Sequence, residues 1–381
     1  MKKVLNIKIN DKIVALQHNN NYKINEEVKM KKLVELLMTI IIVNLISATL
    51  VASNSKMATT NPSVSIKYPV KVAVVVPDLE ELFVSEIITN LKDIQKENEG
   101  KVQYTFFSSN REQAIENEII NTILENKEAD ILLVDLVDQI NSAQEVINKI
   151  KEYNIPVIIF HREPYEQKDA IKSYGKALFI GSYSAEGGVL QGELIVDQWN
   201  KNKQIIDKNG DNIMQYIMLK GKSTDLDEIE RTKNSIPVIN NAGIKTEELA
   251  SRFANWDLAQ AKEITESLLL KYGNKIEVII ANNDAMAIGA IEVLQANGYN
   301  KGDKDKTITV TGVDGIPKAI ELIKEGVMAG TIIQDAKGQA EALYIVGMNL
   351  AEHKNPIEGT KYKFDDTGVS IRIPYKQYTP S

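Results

Sequence analysis

Cysteine is absent from the 381 residues of this chain. That removes disulfides, thiol catalysis, iron–sulfur clusters and Cys-type zinc sites together. It also removes the lipidated cysteine that could tether an exported protein to a membrane. Histidine is scarce: His18, His161 and His353 are too few for a His-rich metal site. Positive charge is in deficit, with 45 Lys and Arg against 52 Asp and Glu for a net charge of −7. Nucleic-acid binding needs a basic face, so this balance opposes it. Phosphate-binding glycine loops are missing as well. Gly221-Lys222-Ser223 follows an apolar run and mimics the end of a P-loop, but Tyr216 stands where that loop needs its first glycine, so the backbone cradle cannot form. No G-x-G-x-x-G follows the first strand of either half, which opposes a dinucleotide site.

What is present suits a soluble body with real cores: 43% hydrophobic and 25% charged residues. The length exceeds one ordinary α/β layer and suits an export segment followed by two domains. Lys29, Lys31 and Lys32 precede an apolar run from Leu33 to Ala52, and Val51-Ala52-Ser53 offers small residues for a cut. A basic start, an apolar middle and small residues describe a secretory signal peptide. Met30 fits as its start, with residues 1–29 an upstream extension. A membrane anchor is the competing reading, since the run nearly spans a bilayer; the small residues favour cleavage. The expectation is an extension plus signal over 1–53, a polar linker over 54–69 and an extracytoplasmic, periplasmic body, anchored if the signal is uncleaved.

From Val70 short Val/Ile-rich runs alternate with amphipathic stretches of helical period. Strands are predicted over 70–76, 102–108, 129–135 and 156–161, then over 177–182, 214–220, 247–253, 278–282, 308–313, 329–334 and 369–374, with helices between most of them. Repeated βα units with apolar strands mean parallel sheets covered on both faces. There are too many strands for one compact sheet, and the series restarts near residue 177. Two doubly wound α/β lobes are expected.

Polar residues gather just past the predicted strands: Asp78, Glu80 and Glu81; Asp135; Lys220, Asp225 and Asp227; Asn282, Asn283 and Asp284; Asp314. Open α/β sheets bind ligands at the carboxyl ends of strands. Carboxylates and amides there suit a neutral, hydroxyl-rich ligand and do not suit phosphate. Trp256, one of two tryptophans, opens a helix near this crevice, and Phe83 could serve the opposite face; flat rings pack on the C–H faces of sugars. Each residue also has a plainer role. The aromatics could be packing residues, Asp227 and Arg231 an i,i+4 pair, Thr224 and Asp227 a capping box, and Asn283 and Asp314 helix caps. Their joint placement is what favours a site. Asp207, Asn209, Asp211 and Gln215, with the Ile213 carbonyl, follow the spacing of a calcium loop. That spacing alone is met equally by a polar turn.

The segments NNDAMAIGA (282–290), TGVDGIPKA (311–319), AGTIIQDAKGQA (329–340) and WDLAQAK (256–262) closely resemble the periplasmic glucose/galactose-binding proteins of the methyl-galactoside ABC transport system. The resemblance runs from about Lys71 to Tyr375, in order. It implies a type I periplasmic-binding fold: two Rossmann-like lobes joined by a three-segment hinge, with crossings near 161, 334 and 369. One lobe would comprise 70–161 and 334–368, the other 162–333 and 369–381. By position, the resemblance implies a monosaccharide such as galactose or glucose between Phe83 and Trp256. It would be hydrogen bonded by Glu81, Asp135, Asp225, Asp227, Arg231, Asn283, Asp314 and Gln334. Glu81 replaces the family's Asp, Asp135 its Asn, Asp225 its His and Gln334 its Asn, and the added carboxylates need compensation in a closed cleft. Glu277 stands at the position of the family's bidentate ligand, completing a structural calcium site. A monomer serving a membrane permease or a chemoreceptor, without catalysis, is implied. A sugar-responsive repressor would need a basic helix-turn-helix where the apolar run lies. A glycosidase would need two carboxylates free to act, Asp225 and Asp227 being the candidates.

Overall fold

The computed structural model describes residues 68–164 and 167–380, so the predicted signal and most of the linker lie outside the described residues. Two six-stranded sheets carry the fold. The first contains β1 (Val70–Val76), β2 (Val102–Ser108), β3 (Ile131–Val134), β4 (Val157–Phe160), β5 (Ala177–Gly181) and β11 (Ser370–Arg372). The second contains β6 (Ile213–Lys220), β7 (Lys245–Phe253), β8 (Val278–Ala281), β9 (Thr309–Asp314), β10 (Gly330–Ile333) and β12 (Lys376–Tyr378). Strand order is β2-β1-β3-β4-β5-β11 in one and β7-β6-β8-β9-β10-β12 in the other. All neighbours are parallel except β12, which runs antiparallel to β10.

The helices are α1 (Leu82–Glu97), α2 (Gln113–Glu125), α3 (Ala143–Glu152), α4 (Lys168–Lys172), α5 (Ser184–Ile206), α6 (Leu226–Asn241), α7 (Leu258–Tyr272), α8 (Asp284–Ala296), α9 (Pro317–Lys324) and α10 (Ala336–Ala351). Alternate side chains of a strand face opposite ways, so a strand covered on both sides must be apolar throughout. In β1, Val72, Val74 and Val76 pack with Phe83, Ile87 and Leu91 of α1 and Leu343 and Val346 of α10. Ala73 and Val75 point the other way, onto Ile120 and Leu124 of α2 and Val146 and Ile150 of α3.

The lobe boundary differs from expectation. β5 pairs with β4 and β11 pairs with β5, so both complete the first sheet. The crossings therefore fall at 182–183, 334–335 and 373–375. The middle one was anticipated; the first moves from 161 and the third from 369, because the partner of a short apolar strand is decided by nonlocal pairing. The lobes are 68–181 with 336–372, and 184–333 with 376–380.

Candidate functional site

Both sheets reverse their strand order beside the first strand of the lobe, and ligands bind at such switch points, outside the carboxyl strand ends. Loops from both lobes meet there around one shared cavity. Glu81, Phe83, His161 and Arg162 line it from one lobe; Asp227, Arg231, Trp256, Asn283 and Asp314 line it from the other. Seven of the ten expected ligand contacts therefore share one cavity wall. Asp225 lines an adjoining pocket with Glu81, Arg162 and Trp256, and Asp135 and Gln334 line neither.

Asp135 corrects an expectation. It is fully buried at the end of β3 and acts through its neighbours: Arg162 Nη1 donates to its Oδ2 at 2.5 Å, and His161 Nδ1 lies 3.0 Å from the same oxygen. His161 occupies the wall in its place, its ring 5.2 Å from that of Phe83. Arg162 resolves the surplus of carboxylates. Its Nη2 donates to Glu81 Oε2 at 2.7 Å, and its Nε reaches Asp225 Oδ2 in the other lobe at 3.8 Å. Three of the four departures from the family pattern, Glu81, Asp135 and Asp225, thus converge on one guanidinium. Burial drives the Asp225 carboxyl up, while Arg162 and the Trp256 indole N–H, which donates to it at 2.7 Å, draw it back.

Trp256 is seated by its neighbours. It and Asn255 hold φ values of 65° and 52°, a left-handed pair rare outside glycine and kept where the surroundings determine it. The indole lies over Gly221, where a Cβ would come within 2.1 Å of the ring. The glycine of the false P-loop is there to admit this ring.

Arg231 is buried and heavily held. Nη1 donates to the Asn282 carbonyl at 2.8 Å; Nη2 donates to Gln334 Oε1 at 2.9 Å and to the Tyr375 hydroxyl at 3.0 Å. Its Nε is buried with no protein partner. Asp227 accepts from the Ser184 hydroxyl. Asn283 serves two roles, capping α8 through Oδ1, which accepts from Met286 N at 3.0 Å, while lining the cavity. Asp314 lies 3.7 Å from Arg231 with φ at 128°. Burial holds its carboxyl well above the usual range, helped by Asp284, Glu81 and Asp227 and opposed by Arg231. The cavity thus presents acceptors, donors and two rings to an uncharged polyol.

In the predicted calcium loop the named residues come together, but on one another. Asn209 Nδ2 and Gln215 Nε2 both donate to Asp211 Oδ2 at 2.9 Å. Glu277 accepts from Lys208 N at 2.8 Å and Gln215 N at 3.0 Å. Asp211 Oδ1 accepts from Ile213 N at 2.8 Å, and Asp207 Oδ1 is buried without a partner. Among the described residues no group of three or more His, Cys, Asp or Glu side chains is placed to hold a metal ion. The donor set therefore fits calcium only in part: the oxygen types are present, and the amides are turned to Asp211.

The periplasmic binding protein domain model matches residues 72–355. The chain belongs to the periplasmic binding protein family. It is 38% identical over 287 residues to the D-galactose/methyl-galactoside binding periplasmic protein of Haemophilus influenzae, covering 74% of this chain and 82% of that protein. It is 25% identical over 313 residues to the ribose import binding protein of Escherichia coli, covering 80% of this chain and 96% of the relative. Among solved structures, the solute-binding protein of a Bacillus halodurans ABC transporter with bound myo-inositol superposes with a TM-score of 0.66 at 25% identity, covering 82% of this chain and 95% of that one. Within this family Arg162 and His161 are the site residues that sequence reasoning missed. Their signal was position: they follow β4 as Asp135 follows β3.

Proposed function

We propose that this periplasmic binding protein is the substrate-binding component of an ABC sugar importer, taking a monosaccharide such as galactose, glucose or a methyl-galactoside. One observation carries the reading: Phe83 from one lobe and Trp256 from the other line a single cavity, with carboxylates, an amide and two guanidinium groups around it. Two rings can sandwich the C–H faces of a pyranose. The polar groups select stereochemistry, because an epimer leaves buried donors or acceptors unpaired. Hinge closure expels water and brings the lobes into the arrangement that a membrane permease, or a chemoreceptor, would read.

No catalysis is part of this reading. Asp225 is occupied by Trp256 and Arg162, and Asp227 by Ser184, so neither is free as an acid or base. The protein works outside the cytoplasm as a monomer, and residues 33–52 export it. The Asp207–Gln215 loop with Glu277 takes a structural calcium ion; the buried, unpartnered Asp207 Oδ1 supports this. When bound, the ion would tie the loop to β8.

A second reading, another pentose, hexose or signalling sugar feeding a different permease or receptor, is favoured by Arg162, which occupies cleft space together with Glu81. A thermal-shift screen of the purified protein against monosaccharides tests both. A ligand that binds only the native state raises the melting temperature by mass action. A response to galactose or glucose supports the first reading and a response to a pentose alone the second; silence across the panel defeats both.

A further inference from the structure

Asp227 and Arg231 face the cavity from one side of α6; Arg231 bonds to two of the three hinge crossings, and Asp227 to the residue that follows the remaining one. Ser184, the first residue after crossing 182–183, donates to Asp227. Gln334, in the second crossing, accepts from Arg231 Nη2 at 2.9 Å, and Tyr375, in the third, accepts from the same nitrogen at 3.0 Å. The backbone N–H of Gln334 also donates to the Asp314 carbonyl at 2.9 Å. The Tyr375 ring is held by packing: it is 5% exposed, and a Cβ on Gly187 would come within 3.2 Å of it. Arg231 Nε has no protein partner.

We propose that Ser184 and Tyr375 are positioning residues that couple occupancy of the cleft to the hinge through Asp227 and Arg231. This rests on the sugar-binding reading of the same cavity. A ligand oxygen on Nε or on Asp227 fixes the α6 pair, and the pair fixes the segments whose backbone angles set the angle between the lobes.

The test uses the absence of native cysteine. Glu99→Cys and Leu270→Cys, both exposed and one in each lobe, carry a dye pair for single-molecule energy transfer. Tyr375→Phe removes one hydroxyl and keeps the ring; Ser184→Ala is the independent second variant. Tyr183→Phe, a hinge hydroxyl on an exposed residue, is the control. With D-galactose, half-saturation is expected to rise about tenfold in Tyr375→Phe, the loss of one hydrogen bond to a charged group. A substantial open fraction should persist at saturation in Tyr375→Phe and in Ser184→Ala, and not in Tyr183→Phe. Weakened affinity with full closure at saturation means a merely structural role and overturns the coupling, as does behaviour identical to the parent. If the parent shows no sugar response, the binding reading fails separately. The sugar-free populations then decide: distributions in both variants matching the parent overturn the proposal, and a shifted open fraction in both supports it.

Discussion

Gly221 and Trp256 share a space that has no room for one more carbon: a Cβ on Gly221 would lie 2.1 Å from the indole. The first prediction follows from that contact. Gly221→Ala should displace the ring from the cavity while leaving the β6 core intact. Sugar affinity is expected to fall at least tenfold by titration calorimetry, about the worth of one aromatic contact. The emission of Trp256 should shift while that of buried Trp199 stays. Unchanged affinity would mean that the ring does not contact the ligand.

Arg162 is the counter-charge for three carboxylates. Removing one partner of a buried ion pair leaves uncompensated charge and costs about 3–5 kcal/mol. Arg162→Ala should therefore lower stability by that order in urea unfolding and abolish binding. Arg162→Lys keeps the charge but cannot fork between Glu81 and Asp135. It should fold, with affinity reduced about tenfold. If Arg162→Ala is as stable as the parent, the cluster is not held together by this residue.

For the calcium loop, addition of calcium to chelator-treated protein should raise the melting temperature, and Asp207→Ala should remove the response. Burial pushes the Glu277 carboxyl up to about 7. A cation needs the deprotonated form, so the response should grow as pH rises through that value. A melting curve indifferent to calcium at pH 8 in the parent removes the metal from this protein.

Glu116 sets a pH dependence of its own. It is fully buried beside β3, accepting from Gln113 Nε2 at 2.6 Å and Val137 N at 2.9 Å, and burial raises its carboxyl to about 7. An unfolded glutamate titrates near 4.3. The folded chain therefore holds the proton more tightly. The contribution is complete below the unfolded value and is lost as pH rises through about 7. Glu116→Gln should flatten the fall in melting temperature between about pH 5 and about pH 7.5. Equal slopes in both proteins would assign the fall to other groups, Asp284 first, also raised to about 7 by burial.

Much of this fold and site is legible in the sequence. Every strand of both sheets but β12 was marked: the central strands by apolar runs, because a strand covered on both faces has no polar side to obscure it, and the half-exposed edge strands β2 and β7 by their place in the alternation. β12 was missed since Lys376-Gln377-Tyr378 is an edge strand whose pairing with β10 supplies what its composition does not. The five-residue α4 is too short for helical period to show. The clustering of Glu81, Phe83, Asp227, Arg231, Trp256, Asn283 and Asp314 was readable because each follows a strand or opens a helix. Asp135 shared that position, yet strand ends mark only nearness to the cleft. Whether a side chain lines the wall or braces it from behind depends on His161 and Arg162, which arrive from the next strand.

The lobe that opens the chain is finished by its end. Its sheet lacks β11, and one face of β1 lacks Leu343 and Val346 of α10, until the last fifth of the polypeptide is available. The intervening lobe needs only β12 from beyond that point. The leading half of the described fold therefore cannot close before α10 and β11, near the far end of the chain, are available.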